Sequence, residues 1–457
     1  MNQKKEYYLI TGVILLGTLS VIFMGIVDGT WRKTQFTDFQ DDQETYNMLA
    51  LQLAKDGTYR EEISSFRRAP GYPAFLAILY RFITPSPLIV YAAQGALFML
   101  SIILLWSLVS YLFPYPYRLV PPLLLALSWF AALSVTKVIP EILSLFLLLL
   151  ALWCFERCLS SRRISFTIGT GGALSWFLLI KPVALAFMPF IILLFAVRAY
   201  FIFPRARGAA LATVFLVLIP AVIVGGWIAR GAKKFNSYQI QSGAMILEFK
   251  SREATAPWKR IFASFTAGLA GDIVADSIIP GYSDNPDPYY YIDPVARENF
   301  ALDAKGYTEA EKELLFTARA KERILKNPAK FIVAGITGIL RQNAPMNHKG
   351  NAIIHMFSRK SHPDIPYALK ITTLVALRVL WYGFLAFVLT GILKERKNWQ
   401  TYGMFALWII LYNGMNGFFS HNEARYIIPV WPLYLIFATT TLMYLKQQRS
   451  ARQNKRI

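Results

Sequence analysis

Apolar residues in this chain come in long blocks separated by short polar breaks. Ten blocks approach the roughly 20 residues that cross the hydrocarbon core of a bilayer: 7–27, 88–113, 119–136, 141–159, 164–180, 183–203, 209–229, 367–393, 400–419 and 427–445. Each predicts a transmembrane helix. Two longer and more polar segments interrupt the series, 28–87 and 230–366. Three regions follow from this pattern: a membrane module over 1–229 carrying the loop 28–87, an insertion over 230–366, and closing helices with a basic tail over 367–457.

Basic residues orient the blocks. Lys4 and Lys5 precede the first, Arg157, Arg162 and Arg163 follow the fourth, and Arg198, Arg205 and Arg207 lie between the sixth and seventh. Lys394, Arg396 and Lys397 follow the eighth, and Lys446, Arg449, Arg452, Lys455 and Arg456 close the chain. If the ten blocks alternate, all of these fall on one side, which the positive-inside rule makes cytoplasmic. Both termini are then inside and both long segments outside. The apolar run Phe331–Leu340 is too short to span. A crossing there would turn the basic tail outward, so parity predicts an interfacial or re-entrant helix, or a hairpin with 350–357.

The stretch Thr37–Pro73 is polar between apolar neighbours. Thr37-x-x-Gln40 fits a capping box, Asp38, Asp41 and Asp42 crowd the first turn, and Gly57 is a helix stop. Asp42, Tyr46, Leu49 and Leu53 fall at i, i+4, i+7 and i+11, one face of a helix. Leu49, Ala50, Leu53 and Ala54 make that face apolar, so Asp42 meets little solvent and needs a partner or a task. Desolvation is expected to raise its pKa. Asp38 and Asp41 read equally well as complements to the helix dipole. Gly71–Ile83 is apolar but too short to span, and is placed in the interface.

Composition agrees with this reading. The 457 residues are 55% hydrophobic and 16% charged, with mean hydropathy +0.39, whereas soluble domains carry about a quarter charged residues. The fold class is an all-α polytopic membrane protein. The net charge of +21 encodes orientation in such a chain, so nucleic-acid binding is not inferred. Cys154 and Cys158 lie near an end that reads as cytoplasmic, which disfavours a structural disulfide. Tyr7–Val27 is long for a signal h-region and reads as an anchor helix. Lys305–Lys326 reads as an exposed helix of mixed charge, and Pro280–Pro294 as a turn-rich loop with a tyrosine cluster.

Several breaks fall where the blocks end on the outer side: Val138–Glu141, Lys181-Pro182 and Ser420–Arg425. Asp42, Arg67, Arg68, Lys137, Glu141, Lys181, His421, Glu423 and Arg425 are therefore predicted at one level on one side. Converging ionisable groups at a membrane boundary point to function.

These residues resemble a family. Asp42-x-x-x-Tyr46-x-x-Leu49-Ala50, then Gly57, then Arg68-Ala-Pro70-Gly71-Tyr72-Pro73 is similar to the first extracytoplasmic loop of GT-C fold glycosyltransferases, the group with lipid A aminoarabinose transferase and the protein O-mannosyltransferases. Glu141 resembles that group's second acidic position, and Asn327-Pro328 and Arg425-Tyr426-x-x-Pro429-x-x-Pro432 its later segments. The usual adjacent Asp-Glu pair is Asp41-Asp42 here. The resemblance implies a GT-C-like bundle of about 10–11 membrane helices with interfacial helices and an outer insertion. It implies inverting transfer of a sugar from a polyprenyl-phosphate donor to a lipid, glycan or protein acceptor on the outer face.

That chemistry needs a base for the acceptor hydroxyl and cations for the leaving phosphate. The catalytic candidates are Asp42, Glu141 and Asp41. The phosphate candidates are Arg68, Lys181 and Arg425, with Arg67, Lys137 and Arg341 behind them. Tyr46, Tyr72, His421 and Tyr426 are candidates to position the acceptor. His348, His355 and His362 recur every seven residues, but Gly350 and Pro363 argue against a continuous helix that would make them a metal site. A divalent cation bridging Asp42 and Glu141 stays open as a cofactor. The chain has no P-loop or nucleotide-binding glycine turn, which agrees with a lipid-linked donor. The membrane is read as a bacterial inner membrane. A flippase of lipid-linked sugars, a ligase or polymerase using a polyprenyl diphosphate, and a non-catalytic scaffold are the alternatives.

Overall fold

In lipid the backbone can satisfy its polar groups only internally, so long apolar blocks fold as helices. The computed structural model describes residues 3–32, 35–36, 41–59, 68–203, 206–287, 289–346, 352–355, 357–420 and 423–454. Among these the regular structure is helical, apart from one isolated bridge between Met346 and Ala352. The first half contains α1 (Gln3–Val27), α2 (Asp41–Asp56), α3 (Gly71–Phe82), α4 (Pro87–Val109), α5 (Val120–Ala126), α6 (Trp129–Val135), α7 (Glu141–Ser161), α8 (Ser165–Ile180), α9 (Met188–Ile202) and α10 (Ala206–Phe235). The segment after them holds α11 (Gly243–Glu253), α12 (Trp258–Ala270), α13 (Asp272–Ala275), α14 (Tyr289–Ala304), α15 (Glu309–Lys326) and α16 (Pro328–Gln342). The chain closes with α17 (Tyr367–Lys394), α18 (Trp399–Phe419) and α19 (Trp431–Asn454).

Among the described residues, seven stretches are long and apolar enough to cross a membrane. One of them, Tyr367–Phe419, is 53 residues long and contains both α17 and α18. At 1.5 Å per residue that is about 80 Å, more than twice the bilayer core. Two of the ten expected spans are less regular than composition suggests. The third is the pair α5 and α6, bent by 53°, and the fifth is α8, only 16 residues long. Most of the apolar core is continuous across these helices, and α7 is its centre: it is buried along nearly its whole length and packs on both α4 and α8.

The short elements follow the local sequence. Gly57 ends α2 at φ +68°, the left-handed conformation that glycine tolerates. Leu49 and Ala50 are buried as the apolar face of α2 requires. Gly71–Phe82 is a separate short helix packed on α2. The mixed-charge segment is α15, begun by a reciprocal capping box between Thr308 and Glu311. Cys154 and Cys158 are free, buried thiols, and Cys158 lies 3.0 Å from the Thr167 hydroxyl.

The second half of the supposed loop Pro280–Pro294 is instead the start of α14, with Pro294 inside the helix. Proline deletes one helical hydrogen bond. Burial of Tyr291, Val295, Asn299 and Leu302 along one face against α11 outweighs that loss. The run Phe331–Leu340 forms the middle of α16, a 15-residue helix whose inner face packs on α18.

One buried cation joins the insertion to the closing helices. Arg378 of α17 is 1% exposed. It donates Nε to the Leu269 carbonyl at 2.9 Å and Nη1 to the Asn343 carbonyl at 3.1 Å. Its Nη2 reaches the carbonyls of Gly268 and Leu340 and the Tyr382 hydroxyl. These carbonyls end α12 and α16, where helices leave acceptors without internal partners and carry negative partial charge. Beside it, Asn343, Asn413 and Tyr434 form a closed set of buried hydrogen bonds at 2.7–2.9 Å.

Replacing Arg378 by Met is expected to cost about 3 kcal/mol, because it strands several buried carbonyls together. Purified Arg378→Met in detergent should unfold at lower temperature and be cut faster by protease within 230–366. Unchanged unfolding and unchanged cleavage would remove Arg378 as the joint.

Candidate active site

Five charged side chains from segments remote in sequence meet at one end of the bundle. Asp42 is the second residue of α2 and Arg68 lies three residues before α3. Glu141 opens α7, Lys181 follows α8, and Arg425 sits in the 3-10 turn Ala424–Val430 that leads into α19. Both carboxylates lie in the first turn of a helix, where the macrodipole favours negative charge.

The backbone brings these elements together by close approach. A Cβ on Gly71 would lie 2.8 Å from the Leu179 backbone and 2.6 Å from the Ile180 side chain, so α3 starts directly on the end of α8. The Trp176 indole donates to the Gly71 carbonyl at 2.9 Å and locks this contact. Arg68 and Lys181 are thereby held at one level. The Val138 amide donates to Gln43 Oε1 at 3.0 Å, tying the start of α2 to the break before α7. Beneath lies Gln94, which donates to the Val135 and Lys137 carbonyls and accepts from the Tyr72 hydroxyl at 3.1 Å. The Tyr72 ring meets Tyr46 edge-on at 5.2 Å.

Both Asp42 oxygens are paired. Oδ1 accepts from Arg68 Nη2 and Oδ2 from Arg425 Nη2, each at 2.6 Å. Arg425 Nε pairs with Glu423 at 2.5 Å and stands 3.8 Å from Glu141. Lys181 Nζ donates to Glu141 Oε1 at 3.2 Å. Its ammonium lies 4.8 Å over the Tyr426 ring, and the Arg68 guanidinium 5.6 Å over the Tyr46 ring. Glu141 is 1% exposed, and its Oε2 has no hydrogen-bond partner among the described residues.

The expectation of a raised Asp42 pKa is corrected. Burial pushes it up, but Arg68 and Arg425 outweigh burial and hold the carboxyl below its ordinary value. Without a ligand, Asp42 is the anionic half of an ion cluster. For Arg68, burial works against the charge, yet Tyr46 and Asp42 raise its pKa net.

Asp42, Tyr46, Arg68, Glu141, Lys181, Arg425 and Tyr426 line one cavity of about 100 Å³. That volume is far below the 300–1,000 Å³ usual for ligand pockets, so a ligand of ordinary size enters only if the walls part. Tyr72 lies behind Tyr46 in the core, and neither Tyr72 nor Lys137 is among the lining residues. Arg341 is elsewhere, paired with Asp272 at 3.1 Å and donating to Tyr282. The side chain of Asp41, and Asp38, Arg67 and His421, lie outside the described residues, as do Thr37, Gln40, His348 and the side chain of His355. Among the described residues no three His, Cys, Asp or Glu side chains form a group that could hold a metal ion. Gln241, Ile246 and Asn416 also line the cavity and were not foreseen. Asn413 and Asn416, three apart in an apolar helix, were the available signal.

Two outcomes follow. Gly71→Ala drives a methyl into the Leu179 backbone and should lower the unfolding midpoint; an unchanged midpoint would show that the α3–α8 contact yields easily. The stability difference between wild type and Asp42→Asn carries a defined pH sign. A carboxyl with a depressed folded pKa stabilises fully above its unfolded pKa of roughly 4, and the gain is lost as pH falls through the lower folded value. The difference in unfolding midpoint should stay level from pH 7 to about 4.5 and shrink below that. A difference that already shrinks between pH 7 and 5 would contradict the clamp.

Residues 371–457 match the model of the Alg9-like mannosyltransferase family. Neither a curated protein nor a solved structure matches the chain significantly. The matched region holds nearly all of α17, then α18 and α19, and it supplies Arg425 to the cavity. The C-terminal region of this helical membrane protein is thus similar to the Alg9-like mannosyltransferases, a family of GT-C fold membrane glycosyltransferases.

Proposed function

We propose that the chain transfers a sugar from a polyprenyl-phosphate donor to a hydroxyl acceptor, with inversion, on the extracytoplasmic side of the membrane. The observation that supports this most is the double clamp on Asp42. Two guanidiniums grip the two oxygens of one carboxylate, with the Lys181 ammonium nearby. A phosphate presents the same oxygens to the same donors, and arginine suits such two-point contacts. The donor phosphate replaces Asp42 as the partner of Arg425 and Arg68, and Lys181 adds a third charge.

This exchange also makes a base of Asp42. Once phosphate takes up the cationic charge, burial and the neighbouring Glu423 carboxylate both act to raise the pKa of the carboxyl, toward the range useful for proton removal. The acceptor oxygen attacks the anomeric carbon on the face opposite the phosphate. The new carbon–oxygen bond forms as the bond to phosphate breaks. The proton passes to Asp42, and the electron pair stays on the phosphate, where the cations stabilise it. Glu141 holds Lys181 and leaves one buried oxygen for an incoming hydroxyl. The polyprenyl tail remains in the bilayer, which accounts for a catalytic site at a membrane boundary. In this reading the cluster faces outward, both termini are cytoplasmic, and the membrane is a bacterial inner membrane.

The test is transfer from radiolabelled polyprenyl-phosphate sugars in native membranes. Asp42→Asn should bind donor yet lose transfer by about 100-fold or more, and Arg425→Gln should weaken donor binding. Equal transfer by wild type and Asp42→Asn would remove Asp42 as the base. Label that crosses the bilayer without forming product would instead favour a flippase.

A further inference from the structure

A second cavity, of about 710 Å³, lies in the segment between the two groups of membrane helices. It is formed by α11, α14 and α15, and its wall carries Arg252, Arg297, Arg319 and Arg323 against two acids, Asp293 and Glu298. The four arginines are set differently. Glu298 accepts from Arg252 and from Arg319, each at 2.5 Å, and fixes both guanidiniums. Glu248, fully buried behind the wall, pairs with Arg252 at 3.0 Å and with Arg323 at 2.6 Å. Arg297 is exposed and makes no hydrogen bond or ion pair with a described residue. Each guanidinium offers five donors, so the fixed three keep N–H groups to spare and Arg297 keeps all of its own.

An aromatic wall completes the cavity. Tyr290 lines it, half exposed, and is backed by the Arg260 guanidinium 3.6 Å from its ring centroid. Arg260 is itself held by Asp287 at 2.7 Å. Tyr291 also lines it and belongs to a packed core with Phe249, Val295 and Phe316. Rigid planar donors beside a tyrosine suit a polar ring compound, and the excess of arginine suits one that bears negative charge.

The two cavities share a helix. Ile246 of α11 lines the catalytic cavity and Arg252 lines this one. Six residues of helix span about 9 Å. Tyr289, adjacent to Tyr290, lies within electrostatic reach of Glu423, Arg425 and Arg341. The two cavities therefore lie along neighbouring parts of one helix.

We propose that this cavity binds an anionic saccharide, a sugar bearing phosphate or carboxylate. On the transferase reading above, that saccharide is part of the acceptor. The binding claim itself needs no turnover and is tested apart from it.

The experiment measures binding of glucose 6-phosphate, glucose and inorganic phosphate to the full chain in detergent, by ligand-observed NMR. Glucose 6-phosphate should bind at least tenfold tighter than either glucose or phosphate. Arg297→Gln and Arg319→Gln should each weaken it several-fold, and together more than tenfold, with no shift in unfolding midpoint. Asp42→Asn should leave it unchanged, because Asp42 is not in this cavity. Phosphate binding as tightly as glucose 6-phosphate would overturn the saccharide assignment. Loss of binding with Arg425→Gln and none with the Arg297 and Arg319 variants would move the probe to the catalytic cavity and overturn the site. Failure of sugar transfer with probe binding intact would leave this inference standing and remove only the acceptor role.

Discussion

The cost of burying charge where apolar helices end governs this structure. An isolated ion there would lose several kcal/mol of hydration, and geometry must recover that loss through pairing. Asp42, Arg68 and Arg425 solve the problem together, with Glu141, Glu423 and Lys181 around them. Because these residues come from four stretches of chain, their pairing also decides where those stretches sit. The loop after α1, the ends of α7 and α8 and the turn before α19 are joined by one ionic cluster. The glycine contact between α3 and α8 then gives the cluster its spacing.

A second ionic device works by a different rule. Arg378 has no carboxylate partner among its hydrogen bonds; it is satisfied by carbonyls at the ends of α12 and α16. Helix C-termini are the one backbone feature that presents several free acceptors at a point. A cation inside an apolar helix can therefore dock two helices of the insertion at once. This arrangement is structural, whereas the clamp on Asp42 is of a kind that a ligand can exchange. The difference lies in the partner: a neighbouring carboxylate can be replaced by a phosphate, and a set of helix-end carbonyls cannot.

Exchange of partners links the clamp to chemistry. A carboxylate whose pKa is held down by two arginines is a weak base, and it becomes a stronger one only when another anion takes the arginines. Activation would then follow donor binding and would not exist in the empty site. The small volume of the candidate site fits the proposed exchange, since the ion pairs occupy the space a sugar phosphate would need. The second cavity is open by comparison, and three of its four arginines are tied to glutamates.

The sequence by itself determined the helical membrane architecture, because blocks of some twenty apolar residues have no other stable form in lipid. Helical spacing and the breaks between blocks also placed Asp42, Arg67, Arg68, Lys137, Glu141, Lys181, His421, Glu423 and Arg425 at one level, without distinguishing among them. Apolar content could not show that α5 and α6 bend by 53° or that Pro294 lies within a helix, because packing partners decide both. The sign of the Asp42 pKa shift was beyond the sequence too: burial was foreseeable from one face of α2, but the two arginines that reverse its effect arrive from 26 and 383 residues away. Arg378, Gln241 and the arginine-lined cavity belong to the same class. Their roles rest on distances between remote segments, and only the tertiary structure sets those distances.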